Sequence, residues 1–184
     1  MPIPTEWLRC CQNEEVDTVG NEVAVLETNL GKIVVSFFPD KAPKHVEAFK
    51  KLIESGFYEG TKFHRVIPGF MIQGGDPNTK SDQRQNYGTG GPGYKIPAEF
   101  NDIKHTRGVL SAARSSDPNS AGSQFFLMVA NSPHLDGQYS AFGEVIEGME
   151  VADAIVKLPR DPRDCPLKGN EAIILKTSLT EQAK

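Results

Sequence analysis

The chain has 184 residues, 38% of them apolar and 24% charged, which suits one domain with a full hydrophobic core. Its net charge of −4 argues against a general nucleic-acid binder. No apolar run is long enough to cross a bilayer as a helix, so no membrane partner is expected.

Residues 1–20 read as an appended arm ahead of a domain over residues 21–180. Met1-Pro2-Ile3-Pro4 cannot start a helix before Thr5, and the polar run from Gln12 to Asp17 is linker-like. Trp7 is expected to anchor this arm to the domain surface. The arm lacks the apolar stretch of a secretory leader and carries Glu6, Glu14, Glu15 and Asp17, so a cytoplasmic location is expected. The three cysteines, Cys10, Cys11 and Cys165, form neither a disulfide framework nor a metal-ligand spacing. Reduced thiols, no metal and no other cofactor are expected.

From Glu22 the pattern predicts a hairpin, Glu22 to Thr28 and Lys32 to Phe38, turning at Asn29-Leu30-Gly31. Pro43 suits the first position of a helix in which Val46, Phe49, Leu52 and Ile53 recur at helical spacing, with Gly56 as its stop. Phe63 to Asp76 reads as two short strands about Pro68-Gly69. Alternation puts Phe63, Arg65, Met71 and Gln73 on one parity; His64, Val66 and Ile72, mostly apolar, take the other and suit a core. A long loop rich in Gly, Asn, Asp and Ser runs from Pro77 to Pro97. Short strands are expected near Val109 to Ala113, Gln124 to Val129 and Ala141 to Ile146. A helix then fits Met149 to Lys157, ended by Pro159, before a last strand from Ala172 to Ser178. His45 and His105 are expected at the surface, on the helix and in a loop. Many short strands with two helices predict a mainly β fold, a closed antiparallel barrel whose ends the helices plug.

A lone arginine with a methionine and a glutamine on one short hairpin is an odd set for a solvated sheet face. It suits a shallow apolar groove holding one fixed cation and one amide. Other motifs carry less. Gly88-Thr89-Gly90-Gly91-Pro92-Gly93 lacks the Lys-Ser/Thr of a phosphate loop, and Pro92 removes an amide. His64, His134, Ser111 and Asp136 offer hydrolase-like residue types without a nucleophile elbow.

The run Phe63-His64-Arg65-Val66-Ile67-Pro68-Gly69-Phe70-Met71-Ile72-Gln73-Gly74-Gly75-Asp76 resembles the signature of the cyclophilins, the cyclosporin-binding class of peptidyl-prolyl cis/trans isomerases. Gly122-Ser123-Gln124-Phe125-Phe126, Leu135-Asp136-Gly137 and Phe142-Gly143-Glu144-Val145 match the same family in the expected order. The resemblance implies a closed eight-stranded antiparallel β-barrel capped by two α-helices, and an enzyme that accelerates X-Pro rotation. It makes Arg65 the catalytic guanidinium, with Gln73 orienting it and reaching the substrate carbonyl. Phe70, Met71, Phe126 and Leu135 match the proline pocket. Ala113, Arg114 and Gln124 match the rim that holds the residue before proline, and Gly88 the adjoining loop.

The chain also departs from the animal-type pattern. His134 stands where that pattern has a tryptophan at the groove edge, Tyr139 where it has a histidine, and Arg114 where it has an asparagine. Tyr139 keeps an aromatic wall, whereas His134 removes an indole donor and apolar area, so weak cyclosporin binding is expected. The Arg114 side chain is expected to favour acidic peptides. The expected partners are proline-containing peptides and unfolded or flexible segments, met by a monomer. The alternative is a non-catalytic module that holds proline peptides in the same groove. Intact Arg65 and Gln73 favour the enzyme.

Overall fold

The computed structural model describes residues 22–182, so the arm with Trp7, Cys10 and Cys11 lies outside the described residues. Eight strands form one antiparallel sheet: β1 Glu22–Thr28, β2 Gly31–Phe37, β3 Arg65–Ile67, β4 Met71–Gly74, β5 Val109–Ala112, β6 Phe125–Met128, β7 Ala141–Glu147 and β8 Ile174–Glu181. They are ordered β3-β4-β6-β5-β7-β2-β1-β8. Two helices, α1 Pro43–Glu54 and α2 Met149–Val156, pack on it. The fold is mainly β with the two expected helices.

The expectation of a closed barrel needs correction: the ladder stays open between β3 and β8. The two ends of the sheet meet through a single bridge, Lys62↔Ile173, with Phe63 N donating to Ala172 O at 3.0 Å and Gly60 N to Ile174 O at 2.8 Å. The reason is that β3 is only three residues long and spends an outward donor elsewhere. Val66 N bonds Asp164 O at 2.8 Å, in the turn that precedes β8.

Helix α1 buries His45, Val46, Phe49, Leu52 and Ile53, a stripe at helical spacing. His45 was expected at the surface but is only 3% exposed, because positions 45, 49 and 53 share one face. Ala42 offers no side-chain cap, and Glu99, just past the long loop, takes that role. It accepts from Lys44 N at 3.1 Å, His45 N at 3.0 Å and His45 Nδ1 at 2.5 Å. Helix α2 starts at Gly148 with φ 94°, where a Cβ would collide with Lys32 O.

The main core holds Leu26, Ile33, Val35, Phe49, Phe63, Val66, Ile72, Leu110, Phe125, Leu127, Phe142 and Ile155. A smaller cluster on the other face of the sheet contains Met71, Val109, Phe126, Met128 and Leu135. Strand β6 serves both, since alternation sends Phe125 and Leu127 to one and Phe126 and Met128 to the other. The parity reading of the hairpin holds from Arg65 onward and fails just before it. Phe63 is fully buried in the main core, and His64 leaves it for a polar cavity. Lys62 makes an isolated bridge and Phe63 and His64 belong to no strand, so period-two alternation does not extend back to them.

Candidate active site

The β3–β4 pairing sets Arg65 opposite Gln73 and Ile67 opposite Met71. Pairing of β4 with β6 then places Gln73 opposite Phe126. Three side chains follow one another across this seam. Arg65 Nη1 donates to Gln73 Oε1 at 3.5 Å, Gln73 Nε2 to Gln124 Oε1 at 3.0 Å, and Gln124 Nε2 to Gly90 O at 2.9 Å. The first contact is at the limit of a hydrogen bond, so the exposed guanidinium keeps most of its donors. Among the described residues no carboxylate lies within ion-pair distance of it.

Beside Arg65 lies a cavity of about 130 Å³ walled by Phe70, Met71, Phe126, Leu135 and Tyr139, with Gln73, Ala113 and Arg114 at its margin. Phe126 meets Tyr139 edge-on, at 5.5 Å and 86°. A wider, more polar cleft of about 670 Å³ adjoins it, lined by Gln73, Gly88, Ala113, Arg114 and Gln124 and by the glycine-rich loop. That loop is tied to β4 by Asp76, a fully buried carboxylate that accepts from Asn78 N at 2.8 Å and from Gly88 N. Gly75, with φ 85°, lets the chain pass Ser123 O at a distance no Cβ could share. The arrangement joins an apolar cup, two amides and two guanidinium groups without a carboxylate partner among the described residues, of which Arg114 is tied to backbone carbonyls and Arg65 keeps most of its donors. It can hold a small ring beside a fixed donor.

The profile of the family described as cyclophilin type peptidyl-prolyl cis-trans isomerase/CLD matches residues 23–178. The chain belongs to the cyclophilin-type peptidyl-prolyl cis-trans isomerases. A peptidyl-prolyl cis-trans isomerase of Arabidopsis thaliana is 49% identical over 149 residues, covering 77% of this chain and 87% of that protein. One from Synechococcus elongatus is 51% identical over 121 residues, 66% of this chain and 78% of the other. The crystal structure of a Cryptosporidium parvum cyclophilin type isomerase, obtained in the presence of the dipeptide Ala-Pro, superposes with a TM-score of 0.77. It is 34% identical and covers 88% of this chain and 99% of that one.

In this cyclophilin, Arg114 lies at the margin of both the cup and the cleft, its guanidinium held in place by backbone carbonyls. Its Nε and Nη2 donate to Gln138 O at 3.2 and 2.8 Å and its Nη1 to Ser115 O at 2.9 Å, while the guanidinium lies 4.6 Å from the Tyr139 ring centre. With Gln73 and Ala113, Arg114 lines both the cup and the cleft. His134 is exposed and leans over Phe70 at 5.7 Å, so it borders the groove from outside the cavity itself. Gly88 and Gln124 line the wider cleft and are absent from the walls of the cup.

One group near the site was missed in this cyclophilin's sequence. His105 was expected at the surface and is 1% exposed. It stacks against Phe126 at 6.1 Å, with Nε2 3.0 Å from Ser111 Oγ and Nδ1 3.3 Å from Asp136 Oδ1. Serine, histidine and carboxylate thus meet in order, yet Ser111 is fully buried and out of substrate's reach. The trio is a strut under Phe126. Burial lowers the His105 pKa, and Asp136 opposes this in part. The His105 backbone N–H, first among several donors, holds the Asp136 carboxyl below its usual range. Nothing periodic around His105 signals this role; Asp136 lies 31 residues away in the chain.

Proposed function

We propose that this cyclophilin catalyses cis/trans rotation about X-Pro bonds in peptides and folding proteins, with Arg65 stabilising the twisted amide. Resonance puts a barrier of roughly 18–20 kcal/mol on that rotation. As the C–N bond twists, the nitrogen regains a lone pair that the planar amide lacks. A donor beside that nitrogen therefore binds the twisted state more strongly than either planar isomer, and such differential binding lowers the barrier with no bond made or broken. Arg65 suits this task because its charge is fixed at working pH and its donors form a rigid fork.

In this reading the proline ring sits among Phe70, Met71, Phe126, Leu135 and Tyr139. Gln73 holds Arg65 in place and reaches the substrate carbonyl. Ala113, Arg114, Gln124 and Gly88 flank the residue before proline. The Ala-Pro dipeptide present with the Cryptosporidium parvum protein contains one X-Pro bond, which supports this reading. The observation that carries the proposal is an uncompensated guanidinium at the lip of an apolar cup. Among the described residues no helix is long and apolar enough to cross a membrane; a cytoplasmic monomer acting on flexible protein segments belongs to the same proposal.

The test is isomerisation of a proline peptide, followed by NMR exchange in wild type and Arg65→Ala. Losing one preorganised charged donor should lower kcat/KM by roughly a hundredfold or more. Near-wild-type turnover by a folded mutant would sink the mechanism. Absent turnover in the wild type, with peptide still bound, would make the groove a binding module.

A further inference from the structure

Arg65 and Gln73 are shared walls of the apolar cup and of a second cavity, while Gln73 also lines the wider cleft. The second, of about 200 Å³, is also lined by His64, Arg84, Tyr87 and Arg163. It joins parts of the chain far apart in sequence: the hairpin, the short 3-10 turn Arg84–Asn86 of the long loop, and the turn before β8. Arg84 Nη2 is committed to Pro166 O at 2.8 Å, Cys165 Sγ at 3.1 Å and Asp161 Oδ2 at 3.3 Å. Its Nη1 is buried and has no hydrogen-bond partner among the described residues. His64 is 7% exposed, and its buried Nδ1 is likewise unpartnered among the described residues. A buried donor of a charged group left without an acceptor is costly, so an acceptor entering here gains more than it would at an ordinary surface.

The charges point the same way. Three guanidinium groups, Arg65, Arg84 and Arg163, line the cavity. Among the described residues Asp161 is the carboxylate within ion-pair reach of them, at 3.3 Å from Arg84 and 3.7 Å from Arg163. Asp76 is occupied by Asn78 N and Gly88 N, and Asp164 by Arg160. The cavity thus carries a surplus of positive charge, with forked donors that match carboxylate and phosphate oxygens. Because it shares Arg65 and Gln73 with the apolar cup, a peptide with its proline in the cup passes the mouth of this cavity within a residue or two, at about 3.8 Å per residue.

Resting on the isomerase reading above, we propose that this cavity is an anionic subsite. It takes the carboxylate or phosphate of a side chain lying within two residues of the bound proline. Peptides with one proline would carry Glu, phosphoserine or Gln in turn at each of the two positions on either side, and isomerisation would be followed by NMR exchange. At one of these positions the acidic peptides should exceed the Gln peptide about five- to tenfold in kcat/KM, the worth of one partly exposed charge-assisted contact. The gain should lie in KM and shrink as salt is added. A gain confined to phosphoserine would mark the phosphorylated side chain as the source. A gain shared by Glu would mark any acidic residue. The acid-to-neutral ratio should fall toward one in Arg84→Gln and in Arg163→Gln; the latter side chain is largely exposed and serves if the former fails to fold. Equal kcat/KM at every position, or a ratio unchanged in the variants, would overturn the subsite while leaving the isomerase reading intact. Absent turnover of every peptide would instead overturn that reading. In that case the arginine side-chain resonances report directly whether acidic peptides bind in preference to neutral ones.

Discussion

Glu99→Ala removes three contacts at once from the start of α1. The carboxylate accepts from the backbone N–H of Lys44 and His45 and from the buried His45 ring. Loss of a helix N-cap typically costs about 1 kcal/mol. Leaving the His45 Nδ1–H buried without an acceptor adds about 1–3 kcal/mol, since its ring is almost fully enclosed. The sum is about 2–4 kcal/mol, which for a domain of this size shifts Tm down by roughly 5–15 °C. Thermal unfolding followed by circular dichroism at pH 7 is the assay. Glu99→Gln should recover part of the loss, because an amide oxygen still accepts while the charge at the helix start is gone. A Glu99→Ala protein melting within about 2 °C of wild type would refute the argument, for it would mean water caps the helix as well. Isomerase activity per folded molecule should be unchanged.

The same physics sets the acid limit of the fold. Burial lowers the pKa of His45, His64 and His105 below the ordinary 6.5, with Glu99, Asp76 and Asp136 respectively opposing the shift. Each binds its proton more readily when unfolded, so stability is full above about pH 6.5 and falls as pH drops through the lower folded values. Denaturant midpoints at pH 7.5 and 5.5 check this, and equal midpoints would refute it. Activity at pH 6 to 8 should stay nearly flat, because the proposed mechanism uses a guanidinium as a fixed donor and needs no acid or base, and a steep bell-shaped profile would contradict it. Chelators should also leave it unchanged; no metal-binding cluster occurs among the described residues. Arg65→Lys should restore only part of the activity lost in Arg65→Ala, since an ammonium lacks the fork. Cyclosporin should bind weakly to wild type, and His134→Trp should tighten it by about 1–3 kcal/mol with little effect on turnover, as measured by titration calorimetry. Unchanged affinity would remove position 134 from the groove edge.

What the amino-acid sequence determined by itself was everything with a short period or a local signal. The β1–β2 hairpin, α1 with Pro43 at its start, and the alternation of Arg65, Met71 and Gln73 on the β3–β4 hairpin were all legible. Such patterns are written within a dozen residues by propensity and side-chain direction. That Phe70, Met71, Phe126, Leu135 and Tyr139 belong together was legible as well, because the family motif is itself made of contiguous segments, and they line one cavity. Only the tertiary structure decided what depends on contacts between distant segments. Phe63 entered the core and His64 left it once Lys62 made a lone bridge to Ile173 instead of extending a strand. The barrel stayed open because Val66 found its acceptor in Asp164. His45 and His105, polar in any local reading, were buried because Glu99 and Asp136 arrived from 54 and 31 residues away to accept their protons. Arg84 met its partners only when the long loop folded onto the turn before β8. A polar side chain's burial depends on whether a partner satisfies it, and that partner's position follows from the path of the whole chain rather than from its neighbours in sequence.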